Sequence, residues 1–322
     1  MENWKWKFGC AIVALLALYV VSSARAEEGT SPPHPNDLMG SAQTYTTVAD
    51  DTLMKVAIDH NLGLIELLAA NPGVDPWFPG NDRVLKLPTM HLLPPGPRKG
   101  IVVNLPEQRL YHFNSNGATQ SYPVAVGRGI CDLKPGAVKV TRRRRQPSWR
   151  PSAKLRAVRP DLPKIVPPGP RNPLGKYALD LDLKGALIHG STRPFTDKSD
   201  QTQGCIRLYP EHMATLYQSS RKGTLVTVLD QPVKLGWADG ELYMEVHPSL
   251  EHTKSINTLR QRRAQRIPGL DARLAEVAGA DTDRIDRALV RKIVREGSGL
   301  PVKITKPRPK PKVKKIRSLF GN

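Results

Sequence analysis

Leu187-Ile188-His189-Gly190-Ser191-Thr192 and, after nine intervening residues, Thr202-Gln203-Gly204-Cys205-Ile206-Arg207-Leu208 carry the densest chemistry in this 322-residue chain. A thiol attacks a carbonyl well only as the thiolate, so it needs a base or a positive charge beside it. His189 ends a β-type run, which would hold its ring in one direction. Gly204 lets the backbone approach closely and leaves amides free to face a developing oxyanion. Arg207 favours the thiolate and can grip a carboxylate with both arms of its fork. The sixteen-residue offset from His189 to Cys205 lets a loop bring the two together. A core histidine and a disulfide cysteine that merely neighbour each other in sequence form the bland alternative, and the full string weighs against it.

Short β-rich runs recur around this segment: Ile101 to Leu105, Gln108 to Phe113, Ser121 to Val126, Ala137 to Thr141, 178–189, 224–229 and Leu242 to Val246. That spacing predicts a mainly-β domain over 100–248. The four arginines Arg142 to Arg145 must straddle both faces of a strand; either a solvated edge or rim holds them, the favoured reading, or they contact carboxylates of a stem peptide or wall polymer. Upstream, a linker over 94–99 follows a compact unit at 43–90. In that unit a short strand at Tyr45 precedes a helix capped by Asp51, then a second helix from Leu62 to Ala70, then a strand at Val84 to Leu87. Residues 249–300 are helix-prone, with Ile285, Leu289 and Ile293 recurring every fourth residue. The proline-interrupted basic run of 301–322 is expected to stay disordered.

The first 26 residues read as an export signal. Lys5 and Lys7 precede an apolar run from Phe8 to Val21, and Ala24-Arg25-Ala26 offers a small-x-small cleavage site. Residues 27–42 follow as a flexible leader. Cleavage would lower the formal net charge from +20 to +18, since three cations and one acid leave. So basic an exported chain is drawn to anionic surfaces such as wall polymers, lipid headgroups or lipopolysaccharide; nucleic acid is not an expected partner. Of three cysteines, Cys131 and Cys205 would remain. Either they pair in one disulfide, which would silence Cys205, or Cys131 is a bystander thiol. No metal-ligand cluster is visible, and no cofactor is implied. Trp77, Phe78 and Trp149 either fill cores or stack on substrate.

The His-Gly-Ser-Thr and Thr-x-Gly-Cys-Ile-Arg-Leu strings resemble the signature of the L,D-transpeptidases with a YkuD-type catalytic domain. Pro147-Ser148-Trp149 and Pro167-Pro168-Gly169-Pro170-Arg171-Asn172-Pro173-Leu174-Gly175-Lys176-Tyr177 also look like that family. The strand–helix–helix–strand order of 43–90 resembles the LysM module, a small peptidoglycan-binding domain, although Asp50-Asp51-Thr52 stands where Gly-Asp-Thr is usual. The fold class implied is α+β. A YkuD-type domain follows a LysM-like module, and a helical, then disordered, extension closes the chain. The layout is most similar to the Gram-negative subgroup that attaches an outer-membrane lipoprotein to peptidoglycan.

Carried over by position, the resemblance makes Cys205 the acylated nucleophile and His189 the proton acceptor and donor. Gly190 and Ser191 would orient that histidine, and the amides of Gly204 and Cys205 would form the oxyanion hole. Arg207, Gln203 and Thr202 would contact substrate. Many relatives carry a histidine where Gln203 stands, which puts the rate in question more than the reaction. The implied reaction is thioester-mediated transfer of a tetrapeptide stem in the periplasm, to the amine of another stem or of a lipoprotein lysine. Hydrolysis at the same site and non-catalytic wall binding are the competing functions.

Overall fold

The computed structural model describes residues 36–127, 133–191, 206–249 and 266–308. Near its start, β1 (Leu38–Gly40), β2 (Gln43–Thr46), α1 (Leu53–Asp59), α2 (Leu64–Ala70), β3 (Val84–Leu87) and β4 (Met90–Leu92) form a small unit. In it β2 pairs antiparallel with β3, and β1 with β4. The two short helices bury Leu53, Val56, Leu64 and Leu67 against Leu85 and Leu87. Two expectations are corrected here. The leader does not run free to residue 42, because β1 is held by its ladder and by the Asp37 carboxylate, which accepts from Trp237 N at 2.8 Å. Thr52, not Asp51, caps α1 by accepting from Lys55 N; the buried Asp51 accepts instead from Tyr45 Oη at 2.8 Å and Val48 N at 2.9 Å.

The centre of the fold is a nine-stranded sheet. It is built from β5 (Gly100–Asn104), β6 (Arg109–Phe113), β7 (Thr119–Pro123), β8 (Ala125–Val126), β9 (Gly136–Arg145), β10 (Tyr177–Leu181), β11 (Leu187–Gly190), β12 (Ile206–Leu208) and β13 (Leu225–Leu229). Their order is β7-β6-β5-β13-β9-β10-β11-β12-β8. Two pairings are parallel, β13 with β5 and β11 with β12. The helix α3 (Ala153–Val158) lies between β9 and β10 in sequence, and α4 (Pro210–Ser219) follows β12. The main core joins Ile101, Val140, Leu179, Ile188, Ile206 and Val226 to Met213 and Leu216 of α4.

The long strand β9 bears on the arginine run. Its first half pairs with β13 and its second with β10, so the arginines have a ladder partner on one side only among the described residues and, as expected of a solvated edge, stand largely exposed. Alternation sends Arg142 and Arg144 to one face, where both engage Asp180 at 2.8 Å. Arg143 goes to the other face, where it stacks on Tyr217, 4.3 Å from the ring centre.

The predicted end of the β domain at 248 is also corrected. The strands β14 (Val233–Ala238) and β15 (Glu241–Val246) leave the large sheet and pair with β16 (Val302–Lys303). An Asp239-Gly240 turn, φ 50° and 72°, joins β14 to β15; this is the geometry that Asp-Gly favours in a two-residue hairpin. The helices α5 (Leu270–Ala278) and α6 (Arg287–Glu296) complete a separate core with Trp237, Met244, Leu274, Ile293 and Ile304. Ile285 is buried there but precedes α6, because Asp286 caps that helix through Ala288 N and Leu289 N, each at 3.0 Å. The basic segment is therefore not disordered from 301: Val302–Lys303 is a strand and Ile304 is buried. Residues 309–322 lie outside the described residues.

Both smaller units dock on the sheet through buried polar groups. Glu66 of α2 and Arg109 of β6 form an ion pair at 2.6 Å, and Tyr209 Oη donates to Leu62 O at 3.0 Å. On the other side Lys234 Nζ reaches Glu107 at 2.8 Å, Glu245 at 2.9 Å and Leu92 O at 2.6 Å. Burial alone would raise both carboxyls; the Lys234 ammonium together with His247 and His91 outweighs it, holding Glu107 below and Glu245 well below the usual carboxylate range.

Candidate active site

His189 is placed by two ladders at once. Its strand β11 pairs with β10 (Ala178 opposite His189) and with β12 (His189 beside Arg207). Ile188 turns into the main core, while Leu187 packs with Trp149, Leu155 and Leu174. By the two-residue period of a strand, His189 shares the face of Leu187. The ring is fully buried, and its Nδ1 lies 2.9 Å from the carbonyl oxygen of Gly190. A carbonyl only accepts, so this contact is a hydrogen bond with the hydrogen on Nδ1, which leaves the Nε2 lone pair uncommitted. Nε2 has no hydrogen-bond partner among the described residues.

Burial drives the His189 pKa down from 6.5 to about 4. The Gly190 carbonyl and, more weakly, that of Pro173 oppose the drop, and the cations of Arg207 and Arg144 deepen it. Arg144 acts from two strands away, since it faces Ala178 in register. At neutral pH the group is therefore a neutral imidazole, a form able to accept a proton.

His189 borders a cavity of about 1280 Å³. One wall is the lip 168–177 with Trp149 and Leu162; the other is the first turns of α4, from Pro210 to Ala214; Gly190, Ser191 and Arg207 also line it. Asn172 fixes the lip. It is buried, its Nδ2 donates to Pro147 O at 2.8 Å, Pro167 O at 3.1 Å and Val166 O at 3.2 Å, and its Oδ1 accepts from Leu174 N at 2.9 Å. Gly175 follows with φ +63°, and a Cβ there would stand 3.0 Å from Gly190 O, the atom that holds His189. Trp149 and Val166 exchange backbone hydrogen bonds of 2.9 Å, which closes the base of the lip.

The structure thus brings together His189, Gly190, Ser191 and Arg207, the last only 2% exposed. Thr202, Gln203, Gly204 and Cys205 lie outside the described residues, as does Cys131. Cys205 is the residue before Ile206, the first residue of β12. Trp149 is buried at the cavity, whereas Trp77 and Phe78 are 51% and 84% exposed, which overturns their core-filling reading. Sequence reasoning assigned no role to Asn172 or Gly175, and none toward His189 to Arg144. An Asn between prolines followed by a Gly was the available signal for the first two.

The expected lack of a metal cluster is also modified. His91, Glu107 and Glu245 bring ligand atoms within 4.8 Å of one another, but Lys234 Nζ lies among them, away from the His189 cavity lining.

The model of the YkuD family, the L,D-transpeptidase catalytic domain, matches residues 98–228. The chain is 32% identical over 315 residues to the probable L,D-transpeptidase YcfS of Escherichia coli strain K12, covering 94% of this chain and 95% of that one. It is 34% identical over 285 residues to the probable L,D-transpeptidase ErfK/SrfK of the same strain, covering 85% and 89%. Among solved structures, the catalytic domain of the E. faecium L,D-transpeptidase is 20% identical, with a TM-score of 0.32, over 41% of this chain and 96% of that one. The chain belongs to the L,D-transpeptidase family. It is a transpeptidase enzyme with a YkuD-type catalytic domain.

Proposed function

We propose that this enzyme is an exported peptidoglycan L,D-transpeptidase with Cys205 as nucleophile and His189 as its base. The observation that carries the reading is the buried neutral imidazole, with Nδ1 committed to Gly190 and Nε2 uncommitted. Chain connectivity supports joining Cys205 to it, because residue 205 directly precedes Ile206, whose strand is paired to β11.

The thiol proton passes to Nε2 of His189 as sulfur attacks the carbonyl between meso-diaminopimelate and the terminal D-Ala of a tetrapeptide stem. The tetrahedral oxyanion faces the amides of Gly204 and Cys205. Collapse breaks the amide bond, and the departing D-Ala amine takes the proton from His189. An acceptor amine then attacks the thioester, gives its proton to His189 and releases the thiol. The acceptor is another stem or a lipoprotein lysine. Gly190 orients the ring through its carbonyl, and Ser191 adjoins it. The βααβ unit acts as a LysM-like wall-binding module, with exposed Trp77 and Phe78 as its contact. The basic C-terminus adheres to anionic lipid or lipopolysaccharide. The export-like N-terminus and the net charge of +20 support these roles and a periplasmic location.

Incubation with purified tetrapeptide muropeptides tests the proposal by mass. Dimers and free D-Ala are expected; tripeptides alone would mean a hydrolase, and unchanged substrate a wall-binding protein. Cross-linked dimers still formed by Cys205→Ala would refute the assignment of the nucleophile.

A further inference from the structure

We infer that Arg171 and Lys176 select the donor, making the enzyme specific for stem peptides whose carboxylates are free rather than amidated. The inference rests on the stem-peptide reading above. Apart from His189, the described residues that line the cavity include four cations, Arg159, Arg171, Lys176 and Arg207, and one carboxylate, Glu211. Arg159 is occupied by Asp161, through contacts of 2.8 and 2.6 Å. Arg207 is buried under the floor beside His189. Arg171 and Lys176 differ from both. They are exposed, and their side chains make no ion pair or hydrogen bond among the described residues.

Their backbone, by contrast, is fixed. Arg171 precedes the buried Asn172, whose amide ties the lip to Pro147, Val166 and Pro167. Lys176 follows Gly175, pressed against Gly190 O, and its own carbonyl accepts from Gln146 N at 2.8 Å. Two unneutralised cations on a rigid lip at a cavity mouth form a site for an anion, because little backbone order is lost on binding. Arg171 offers a planar fork suited to a carboxylate and Lys176 a point charge. A tetrapeptide stem presents the α-carboxylate of isoglutamate and the side-chain carboxylate of diaminopimelate besides that of the terminal D-Ala, and amidation of either of the first two removes its charge.

The experiment uses the full chain and synthetic tetrapeptide donors that are fully free, amidated at one position, or amidated at both. Binding and turnover are both measured, for the wild type, for Arg171→Glu with Lys176→Glu, and for Lys184→Glu, an exposed lysine outside the cavity. The free-acid donor should bind and react roughly tenfold better than the doubly amidated one, equivalent to about 1.4 kcal/mol. The double charge reversal should erase or invert that preference, mainly through KM, while Lys184→Glu should keep it. Raised salt should narrow it. Turnover of all donors within twofold of one another, or a double variant with the wild-type ratio, overturns the inference and leaves the transpeptidase reading standing. Selective binding without turnover from any donor supports the inference and sinks the catalytic reading instead. If no stem binds or reacts, both fall.

Discussion

Acidification should unfold this protein in part through His189. The ring is neutral and buried, with its pKa lowered from 6.5 to about 4. An unfolded chain therefore takes up a proton on this residue at a pH where the folded one does not. The sign follows: the contribution to stability is fully present above about pH 6.5, and it is lost as the pH falls toward 4. The drop from 6.5 to about 4, at about 1.4 kcal/mol per pH unit, amounts to about 3 kcal/mol. Burial also lowers His91, His112 and His212, so acid sensitivity in the wild type alone would not single out residue 189. The comparison that isolates it is His189→Gln, which keeps a polar amide near Gly190 O and cannot titrate. Urea unfolding followed from pH 7 to pH 4 should show the wild type losing about 3 kcal/mol more than the variant, with most of the difference gained below pH 6. Parallel stability curves for the two proteins would refute the claim that the folded state holds this imidazole neutral.

Three further outcomes are expected. Lys234→Met leaves Glu107 and Glu245 buried without their cation and should cost about 3–5 kcal/mol in urea unfolding; adding Glu107→Gln and Glu245→Gln should restore part of that. Glu66→Ala strands Arg109 between the βααβ unit and the sheet, and should lower stability by about 3 kcal/mol. Gly175→Ala combines φ +63° with a Cβ 3.0 Å from Gly190 O. It should cost about 1–2 kcal/mol and lower kcat by disturbing the carbonyl that orients His189, and an unchanged kcat would dissociate the lip from the histidine.

The strands of the large sheet were legible because alternation and turn residues are local signals: 101–105, 108–113 and 224–229 all fall on observed strands. Their order was not, since β13 beside β5 and β12 beside β8 are pairings between distant segments. The reassignment of β14 and β15 to a second sheet was illegible for the same reason; nothing in Val233 to Val246 says which sheet it joins. Arg142 to Arg145 were legible as a solvated edge because four consecutive cations need water. Their partners Asp180 and Tyr217 were not, being far away in sequence. At the candidate site, His189 and Arg207 were singled out from chemistry and spacing, and both line the cavity. Asn172 escaped because its role is to satisfy three carbonyls that become neighbours only when the lip folds.

The lysine amid His91, Glu107 and Glu245 has a consequence for how the chain endures changing surroundings. Where three such ligands face a dissociable ion, cohesion depends on the supply of that ion and yields to chelators. Here the neutralising charge is covalently attached to β14, so dilution cannot remove it. The joint between the large sheet and the C-terminal unit should therefore be indifferent to the divalent-ion content of the medium, and a melting temperature unmoved by EDTA is the sign to look for.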